Sequence, residues 1–279
     1  MPATRLAIRR VEKPWGRHHL WPGFADTLAD SAPIGEIWFE AEHAREPALL
    51  VKYLFTSEKL SVQVHPNDAA AIAAGHPRGK DEAWVVLAAE PDATIALGVK
   101  SPVTREQLLA AARDGSIVDL LAWKPVAAGD VIYSPAGTIH AIGAGITLIE
   151  IQQNIDLTYR LYDYGRPREL HLAAGVAAAC LTPFATPKPP RAVAPGRIIL
   201  AEGGKFVLER WTAAQHMTLP AGETGWFVPI TGAGTIDGKT WQGGECWMAE
   251  GEVTVTMADE ADMLFAYPGA TMLYPPPAP

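Results

Sequence analysis

The sixteen residues from Gly129 to Ala144, GDVIYSPAGTIHAIGA, predict two short strands joined by a tight turn. Pro135 fixes its own φ and Gly137 tolerates a positive φ, so the chain can reverse direction sharply between the strands. His140 then stands on the second strand, with its side chain directed to one face of the sheet. A single histidine on an apolar strand is more often a packed core residue than a metal ligand. The segment therefore predicts a metal site only if further ligands come from other strands.

Another predicted strand, SVQVH, supplies two such ligands. Its side chains alternate, so Ser61, Gln63 and His65 share one face, where three polar groups in succession would be costly in a dry core. Farther on, in GKDEAWVVL, a charged turn leads into an apolar strand, and Lys80 and Glu82 point the same way. The predicted metal ligands are Gln63, His65, Glu82 and His140. Mixed imidazole and oxygen ligands suit Zn²⁺ or another first-row divalent ion.

Short apolar runs punctuated by 25 glycines and 24 prolines predict a mainly antiparallel β protein interrupted by short helices. Asn67 or Asp68 can cap a first, alanine-rich helix. Thr104 and Gln107 form a capping box ahead of a second helix. A third helix is expected across RELHLAAGVAAAC. All three are expected to pack against the outside of a β barrel.

A proline-rich segment, PFATPKPPRAVAP, divides the chain near residue 190. Its five prolines predict a stiff extended connector and not a strand of a sheet. We place a catalytic, metal-binding domain at 1–185 and a second domain at 196–279. The second domain repeats the pattern of strands and turns, but its one imidazole is His216. We therefore expect a degenerate barrel there that binds no metal and packs against the first.

Composition narrows the class of protein. The chain has no apolar stretch long enough to span a bilayer and no leader pattern in MPATRLAIRR, so we expect a cytoplasmic protein with no membrane partner. The net charge of −8 argues against nucleic acid as a partner, although a local positive pocket can still hold a small anion. Cys180 and Cys246 lie far apart without CxxC spacing, so we expect two buried thiols. We expect a monomer or a weak homodimer.

The segments KPWG, GEIW, SVQVHPND, GKDEAW, SPAGTIHAIG and EIQQNIDLTYRLYDYGRPRELHL follow one another through residues 11–180. In this order they resemble the class I mannose-6-phosphate isomerases of the cupin superfamily, specifically the short bacterial type. The resemblance implies a mainly β fold of two cupin barrels, also called double-stranded β-helices or jelly rolls, with short α-helical inserts and a degenerate second barrel. It also implies an enzyme that binds one Zn²⁺ per chain and interconverts mannose 6-phosphate and fructose 6-phosphate.

The resemblance also implies roles for residues beyond the metal ligands. Glu150 corresponds to an acid proposed to transfer a proton, and Arg160 to an arginine near the substrate. Ser61 and Lys80 are expected to meet the substrate, a small sugar phosphate. Arg166 falls near a basic residue that binds the phosphate. We therefore expect Glu150 and Arg160 as catalytic residues and the other three as substrate-binding residues.

Simpler structural roles compete with these assignments. Glu150 and Arg160 can form a buried ion pair, and Arg168 can pair with Glu169. The base can be Glu150 or a water held by the metal, and the sequence does not decide between an enediol and a hydride shift.

Other functions fit part of the sequence. One is a regulatory cupin that binds a sugar phosphate without catalysis, another is an isomerase of a different phosphorylated sugar, and a third is a cupin dioxygenase that uses iron. A regulatory protein would not need Glu150 together with Arg160. A dioxygenase has no reason to keep Lys80, Arg160 and Arg166 together. We therefore predict a zinc-dependent aldose-ketose isomerase.

Overall fold

Strands predominate in the computed structural model, which describes residues 3–41, 46–185, 187–219 and 221–273. The strands before the proline-rich segment are β1 (Thr4–Arg5), β2 (Ala7–Arg17), β3 (Ile34–Glu40), β4 (Leu49–Phe55), β5 (Val62–Val64), β6 (Glu82–Ala89), β7 (Thr94–Val99), β8 (Leu121–Pro125), β9 (Val131–Ser134), β10 (His140–Ile142), β11 (Ile146–Gln153) and β12 (Tyr159–Tyr162). The later strands are β13 (Arg191–Ala194), β14 (Arg197–Glu202), β15 (Phe206–Trp211), β16 (Gln215–Thr218), β17 (Thr224–Thr231), β18 (Ala233–Ile236), β19 (Lys239–Gln242), β20 (Trp247–Glu250), β21 (Glu252–Met257) and β22 (Asp262–Pro268). The helices are α1 (Asp68–Ala73), α2 (Arg105–Asp114), α3 (Ile117–Leu120) and α4 (Leu172–Ala178).

The strands form four antiparallel sheets. The N-terminal half has a six-stranded sheet in the order β2-β3-β4-β11-β6-β9 and a five-stranded sheet in the order β12-β5-β10-β7-β8. The C-terminal half has a seven-stranded sheet in the order β1-β20-β17-β22-β15-β14-β13 and a four-stranded sheet in the order β16-β21-β18-β19. This is the mainly β fold with two barrels and short helical inserts that the sequence predicts, so that prediction is confirmed.

Apolar side chains fill the space between successive sheets. Trp84 and Leu148 of the six-stranded sheet pack with Ile95 of the five-stranded sheet inside the first barrel. Trp211 and Trp241 belong to the core of the second barrel. A larger cluster lies between the two halves, where the six-stranded and seven-stranded sheets meet face to face. The four sheets therefore stack in the order five, six, seven and four strands, with α2, α3 and α4 on the outer face of the five-stranded sheet.

Strand β11 places polar side chains, one of them charged, inside the first barrel. All eight of its residues are buried, because both faces of its sheet are covered. Ile149 and Ile151 point to the C-terminal half, while Leu148, Glu150 and Gln152 point into the barrel by strand alternation. A strand covered on both sides is expected to be apolar throughout. The polar residues on its inner face therefore indicate a polar site inside the first barrel.

Two of the helices begin where the sequence predicts. Asn67 caps α1, since its side chain accepts a hydrogen bond from the backbone N–H of Ala70. Thr104 and Gln107 form both hydrogen bonds of the capping box at α2. The third predicted helix is shorter than expected, since α4 begins only at Leu172. Among the described residues, every helix is too short or too polar to cross a bilayer.

The structure corrects two expectations. The end of the proline-rich segment is not a free connector, because Ala192 pairs with Ile198 and makes β13 the edge strand of the seven-stranded sheet. The four residues of β13 contain no proline and so keep the N–H groups that such pairing needs. Cys180 is exposed, whereas Cys246 is buried as expected. Cys180 lies just beyond the end of α4, outside the packed core.

The sheets separate along the chain near the proline-rich segment, with one exception. Thr4 and Arg5 of β1 pair with Met248 and Trp247 of β20, so the first strand of the chain joins the sheet of the C-terminal half. The division into domains at 1–185 and 196–279 stays a prediction. Residues 1–2, 42–45, 186, 220 and 274–279 lie outside the described part of the chain.

Candidate metal centre

Three of the four predicted metal ligands converge in the first barrel. His65 follows β5, while Glu82 opens β6 and His140 opens β10. Nε2 of His65 lies 3.3 Å from Oε1 of Glu82, and Nε2 of His140 lies 3.6 Å from Oε2. One ligand atom from each residue lies within 4.8 Å of the others, and all three side chains are buried. This His65–Glu82–His140 cluster is the candidate metal centre.

Backbone carbonyls fix which ring nitrogen of each histidine carries the proton. Nδ1 of His65 lies 2.8 Å from the carbonyl oxygen of Leu157, and Nδ1 of His140 lies 3.0 Å from that of Thr138. Because a carbonyl oxygen only accepts, each Nδ1 donates and each Nε2 keeps a lone pair facing Glu82. Burial lowers the pKa of His65 to about 4 and also lowers the pKa of His140. Both rings are therefore neutral near pH 7, as metal binding requires.

The cluster contains an ionised carboxylate. Burial by itself would raise the pKa of Glu82, but the nearby Lys80 ammonium outweighs it and holds that pKa well below its usual range. Nζ of Lys80 lies 2.7 Å from Oε1 of Glu82. Burial opposes the charge of Lys80 as well, yet Glu82 and Glu150 raise its pKa. Two neutral imidazoles and one carboxylate make a donor set suited to zinc.

Polar atoms without partners indicate what this cluster binds. Within the described residues, neither carboxylate oxygen of Glu82 nor Nε2 of His65 has a hydrogen bond of good geometry, despite the ion pair with Lys80. Leaving a buried polar atom unsatisfied costs about 1–3 kcal/mol. A divalent cation between the two histidines and Glu82 would satisfy these atoms together. The residues present therefore fit a zinc ion.

The fourth predicted ligand, Gln63, lies beside the cluster. Its amide nitrogen is 3.2 Å from Nε2 of His140, and Oγ of Ser61 is 3.5 Å from its amide oxygen. A half-turn of the amide exchanges nitrogen and oxygen, so Gln63 can present its oxygen to an ion in the cluster. Ser61, Gln63 and His65 share one face of the chain around β5, because Val62 and Val64 pack on the opposite face.

A cleft of about 310 Å³ leads to the cluster. It is lined by Lys13, Trp15, Glu36, Lys52, Leu54, Leu60, Ser61, Gln63, Lys80, Glu150, Asp156, Thr158, Arg160 and Arg168. Gln63 and Lys80 contact both the cleft and the cluster. The lining has five basic and three acidic side chains. The cleft is thus locally positive in a chain of net charge −8, as expected for a site that binds a small anion.

Glu150 lies in this cleft, but its partner differs from the one considered from sequence. Its Oε1 is 3.2 Å from Nζ of Lys52, and its Oε2 accepts a hydrogen bond from Nε1 of Trp84 at 3.1 Å. Lys52 is directly opposite Glu150 in the pairing of β4 with β11. An ion pair with Arg160 is therefore not the structural role of Glu150.

Sequence reasoning missed Lys52. The residue is only 4% exposed, and its Nζ lies 4.2 Å from the ring centroid of Trp38. The available signal was its position in the apolar run LLVKYLF, where it shares the inward face with Leu50 and Leu54. A lysine at the centre of a buried strand needs an anionic partner, which Glu150 supplies.

The motifs KPWG and GEIW also contribute to the cleft. Nζ of Lys13 lies 3.4 Å from Oε1 of Glu36, and Nε1 of Trp38 donates to Oε2 of Glu36 at 2.5 Å. Burial favours the neutral form of Glu36, but Lys52 and Lys13 outweigh it, so its pKa is lowered. Positive and negative side chains therefore alternate along the cleft in the order Lys13, Glu36, Lys52 and Glu150.

Arg160 faces the cleft from β12. Its Nη1 donates to the carbonyl oxygen of Glu169 at 2.8 Å. Its Nε is buried and has no hydrogen-bond partner among the described residues. The guanidinium is therefore held in position through Nη1, while Nε keeps an unused donor. This is expected of a group that donates its remaining hydrogen bond to a ligand.

Of the predicted site residues, Arg166 is not brought to the cleft. Its Nη2 donates to the carbonyl oxygen of Lys59 at 2.6 Å and lies 3.1 Å from a carboxylate oxygen of Asp163. These contacts direct it away from the cleft lining. Arg168 lines the cleft instead, and it pairs with Asp163 through two hydrogen bonds of 2.6 and 2.7 Å, not with Glu169.

Comparison with known proteins gives relatives of one kind. No protein-family profile matches the chain. Mannose-6-phosphate isomerase ManA of Bacillus subtilis (strain 168) is 41% identical over 157 residues, which cover 51% of this chain and 49% of that protein. The chain thus spans about half the length of this relative. Probable mannose-6-phosphate isomerase GmuF of the same organism is 32% identical over 229 residues, which cover 78% of this chain and 67% of that protein.

Solved structures share the fold over nearly the whole chain. The mannose 6-phosphate isomerase from Bacillus subtilis has a TM-score of 0.80 at 25% identity, covering 95% of this chain and 99% of that chain. A zinc-bound mannose 6-phosphate isomerase has a TM-score of 0.73 at 15% identity, covering 96% of this chain and all of the other. The latter likeness concerns the fold alone.

The two stacked barrels and the buried cluster of two histidines and a glutamate define a cupin protein with a candidate metal site in its first barrel. Such sites serve many chemistries on this fold, so the class alone does not fix the reaction. The extent of the match to GmuF establishes the family and not the reaction: the chain belongs to the mannose-6-phosphate isomerases. The resemblance predicted from sequence is confirmed.

Proposed function

We propose that this protein is a zinc-dependent aldose-ketose isomerase that interconverts mannose 6-phosphate and fructose 6-phosphate. The observation that carries the proposal is the His65–Glu82–His140 cluster, whose unsatisfied atoms lie beside a positively charged cleft that contains Glu150 and Arg160. The names of the relatives support the reaction, and the zinc in one structural neighbour supports the metal.

The residues of this chain divide the chemistry among them. A divalent metal held by His65, Glu82, His140 and Gln63 would supply Lewis-acid polarisation of the C1 and C2 oxygens of the open-chain sugar. Glu150 is the proposed base that takes a proton from one of these carbons and returns it to the other, while a second proton passes between the two oxygens. Lys52 and Trp84 each contact one oxygen of Glu150 and so fix the orientation of its carboxylate.

Basic residues around the cleft serve the charge of the substrate. Nε of Arg160 has no hydrogen-bond partner within the described ranges, and Arg160 is proposed to stabilise negative charge that develops on the sugar oxygens. Lys80 neutralises Glu82 and, with Ser61, reaches the cleft from the side of the metal centre. Arg168 lines the cleft in the place expected for Arg166, and we propose it in place of Arg166 as a contact for the phosphate.

A coupled assay for fructose 6-phosphate formed from mannose 6-phosphate tests the function. We expect turnover that is lost after treatment with a chelator and restored by zinc, without consumption of oxygen. Glu150→Gln should lower kcat by about a hundredfold or more while bound zinc is unchanged. The matched control is Glu209→Gln, which alters a buried carboxylate of the C-terminal half and should keep its kcat.

Three results would contradict the proposal. Activity that persists in protein shown to be free of metal would remove the metal from the reaction. Binding of mannose 6-phosphate without turnover would favour the regulatory cupin, while turnover of a different sugar phosphate alone would replace the substrate.

A further inference from the structure

Asp81 is a buried carboxylate that directly precedes Glu82 and does not line the cleft. Its Oδ2 accepts a hydrogen bond from the hydroxyl of Tyr133 at 2.5 Å, and its Oδ1 accepts one from the backbone N–H of Ala136 at 3.0 Å. Its backbone N–H and carbonyl are bonded to Gln153, at 2.9 and 3.1 Å. The residue before a candidate metal ligand is thus fixed through both its side chain and its backbone.

These contacts join the three chain segments that supply the cluster. The carboxylate of Asp81 holds the turn at Ala136, which leads into His140. In the same turn the backbone N–H of Gly137 donates to the carbonyl oxygen of His65 at 2.8 Å. A shift of Asp81 would therefore move Glu82 relative to both histidines.

The C-terminal half fixes the position of Tyr133, whose hydroxyl donates to the carboxylate of Asp81. The Tyr133 ring packs against Phe206 at a centroid distance of 5.4 Å. It also fills the space beside Gly203, where an added Cβ would lie 1.6 Å from Cζ of Tyr133. In the same turn as Gly203, Nζ of Lys205 lies 2.6 Å from Oδ2 of Asp68 at the start of α1. The turn between β14 and β15 therefore contacts the first barrel just behind the metal centre.

We propose that Tyr133 is a positioning residue for the metal centre, and that the C-terminal half acts on the centre by seating the Tyr133 ring. Without the hydroxyl, Oδ2 of Asp81 is left buried with no donor, and the carboxylate is free to rotate away from Ala136. Glu82 and His140 then lose their fixed separation. The inference rests on the proposed function only in that the cluster binds a metal.

The test compares two variants that each delete one buried hydroxyl from a carboxylate. Tyr133→Phe removes the bond to Asp81, whereas Tyr267→Phe removes a bond of 2.8 Å to Glu209 in the core of the second barrel. The dissociation constant for zinc, measured by competition with a chelator, should rise about tenfold in Tyr133→Phe and stay unchanged in Tyr267→Phe. With Co²⁺ in place of zinc, the visible absorption spectrum should change in Tyr133→Phe alone.

A second pair of variants tests the contribution of the C-terminal half. Gly203→Ala pushes against the Tyr133 ring, whereas Gly204→Ala strains the same turn at a positive φ without meeting any neighbour. Gly203→Ala should weaken zinc binding more than Gly204→Ala. Equal zinc constants and Co²⁺ spectra in Tyr133→Phe and the parent would overturn the positioning role while leaving the proposed function intact. A parent protein that binds no metal would overturn both.

Discussion

Replacing Glu82 by glutamine tests whether the cluster is a metal site or a buried ion-pair network. The substitution preserves shape but leaves Lys80, which is 4% exposed and 2.7 Å from the carboxylate, without its nearest counter-charge. Breaking a buried ion pair costs about 3–5 kcal/mol. For 279 residues the entropy of unfolding is about 0.6 kcal/mol/K, so the melting temperature of the metal-free protein should fall by about 5–8 °C.

The effect of zinc separates the two interpretations. At a free zinc concentration of one hundred times the dissociation constant, binding stabilises the folded protein by about 2.7 kcal/mol, or about 4–5 °C. Melting curves of the parent, Glu82→Gln and Glu209→Gln are recorded with zinc and with a chelator. Glu209 is buried and paired with Arg197, so Glu209→Gln should lose comparable stability yet keep the whole zinc-dependent rise. A rise of the same size in Glu82→Gln would refute the assignment of Glu82 as a ligand.

Three further predictions follow from the cleft and the cluster. Arg160→Ala should lower kcat/KM by about a hundredfold, close to 3 kcal/mol, with zinc content and melting temperature unchanged, while Arg166→Ala should leave the KM for the sugar phosphate unchanged. Lys52→Met should lower kcat and destabilise the fold by about 3 kcal/mol, because Glu150 loses its buried counter-charge, and kinetics with urea unfolding measure both. Burial lowers the pKa of His65 to about 4, so as pH falls from about 6.5 the unfolded chain binds the proton before the folded protein does. The free energy of unfolding of metal-free protein should therefore fall by about 3 kcal/mol by pH 4. Urea unfolding at a series of pH values measures this, and an unfolding free energy that does not change with pH would contradict it.

Local sequence was sufficient wherever the period of a strand decides which way a side chain points. Ser61, Gln63 and His65 share a face because β5 alternates, and Pro135 with Gly137 identifies the turn that precedes His140. Each of these features needs only a few neighbouring residues. Their convergence could be predicted only because the separate motifs together resemble one family.

Contacts between distant strands were beyond the same reasoning. The partner of Glu150 is Lys52, which is almost a hundred residues earlier and becomes its neighbour only through the register of β4 against β11. The positions of Arg166 and Arg168 were beyond local reasoning for another reason. Both lie in an irregular segment with no period to direct their side chains, and the buried Asp163 determines where each one points.

The carbonyl groups that receive the Nδ1 protons of His65 and His140 belong to Leu157 and Thr138, and every amino acid carries such a group. Substitutions at 138 and 157 can therefore accumulate during evolution without altering which nitrogen of either imidazole faces Glu82. Where a side-chain carboxylate orients the imidazole, one mutation can remove the acceptor. Here the tautomer of each histidine depends on the position of the main chain and not on the identity of a side chain.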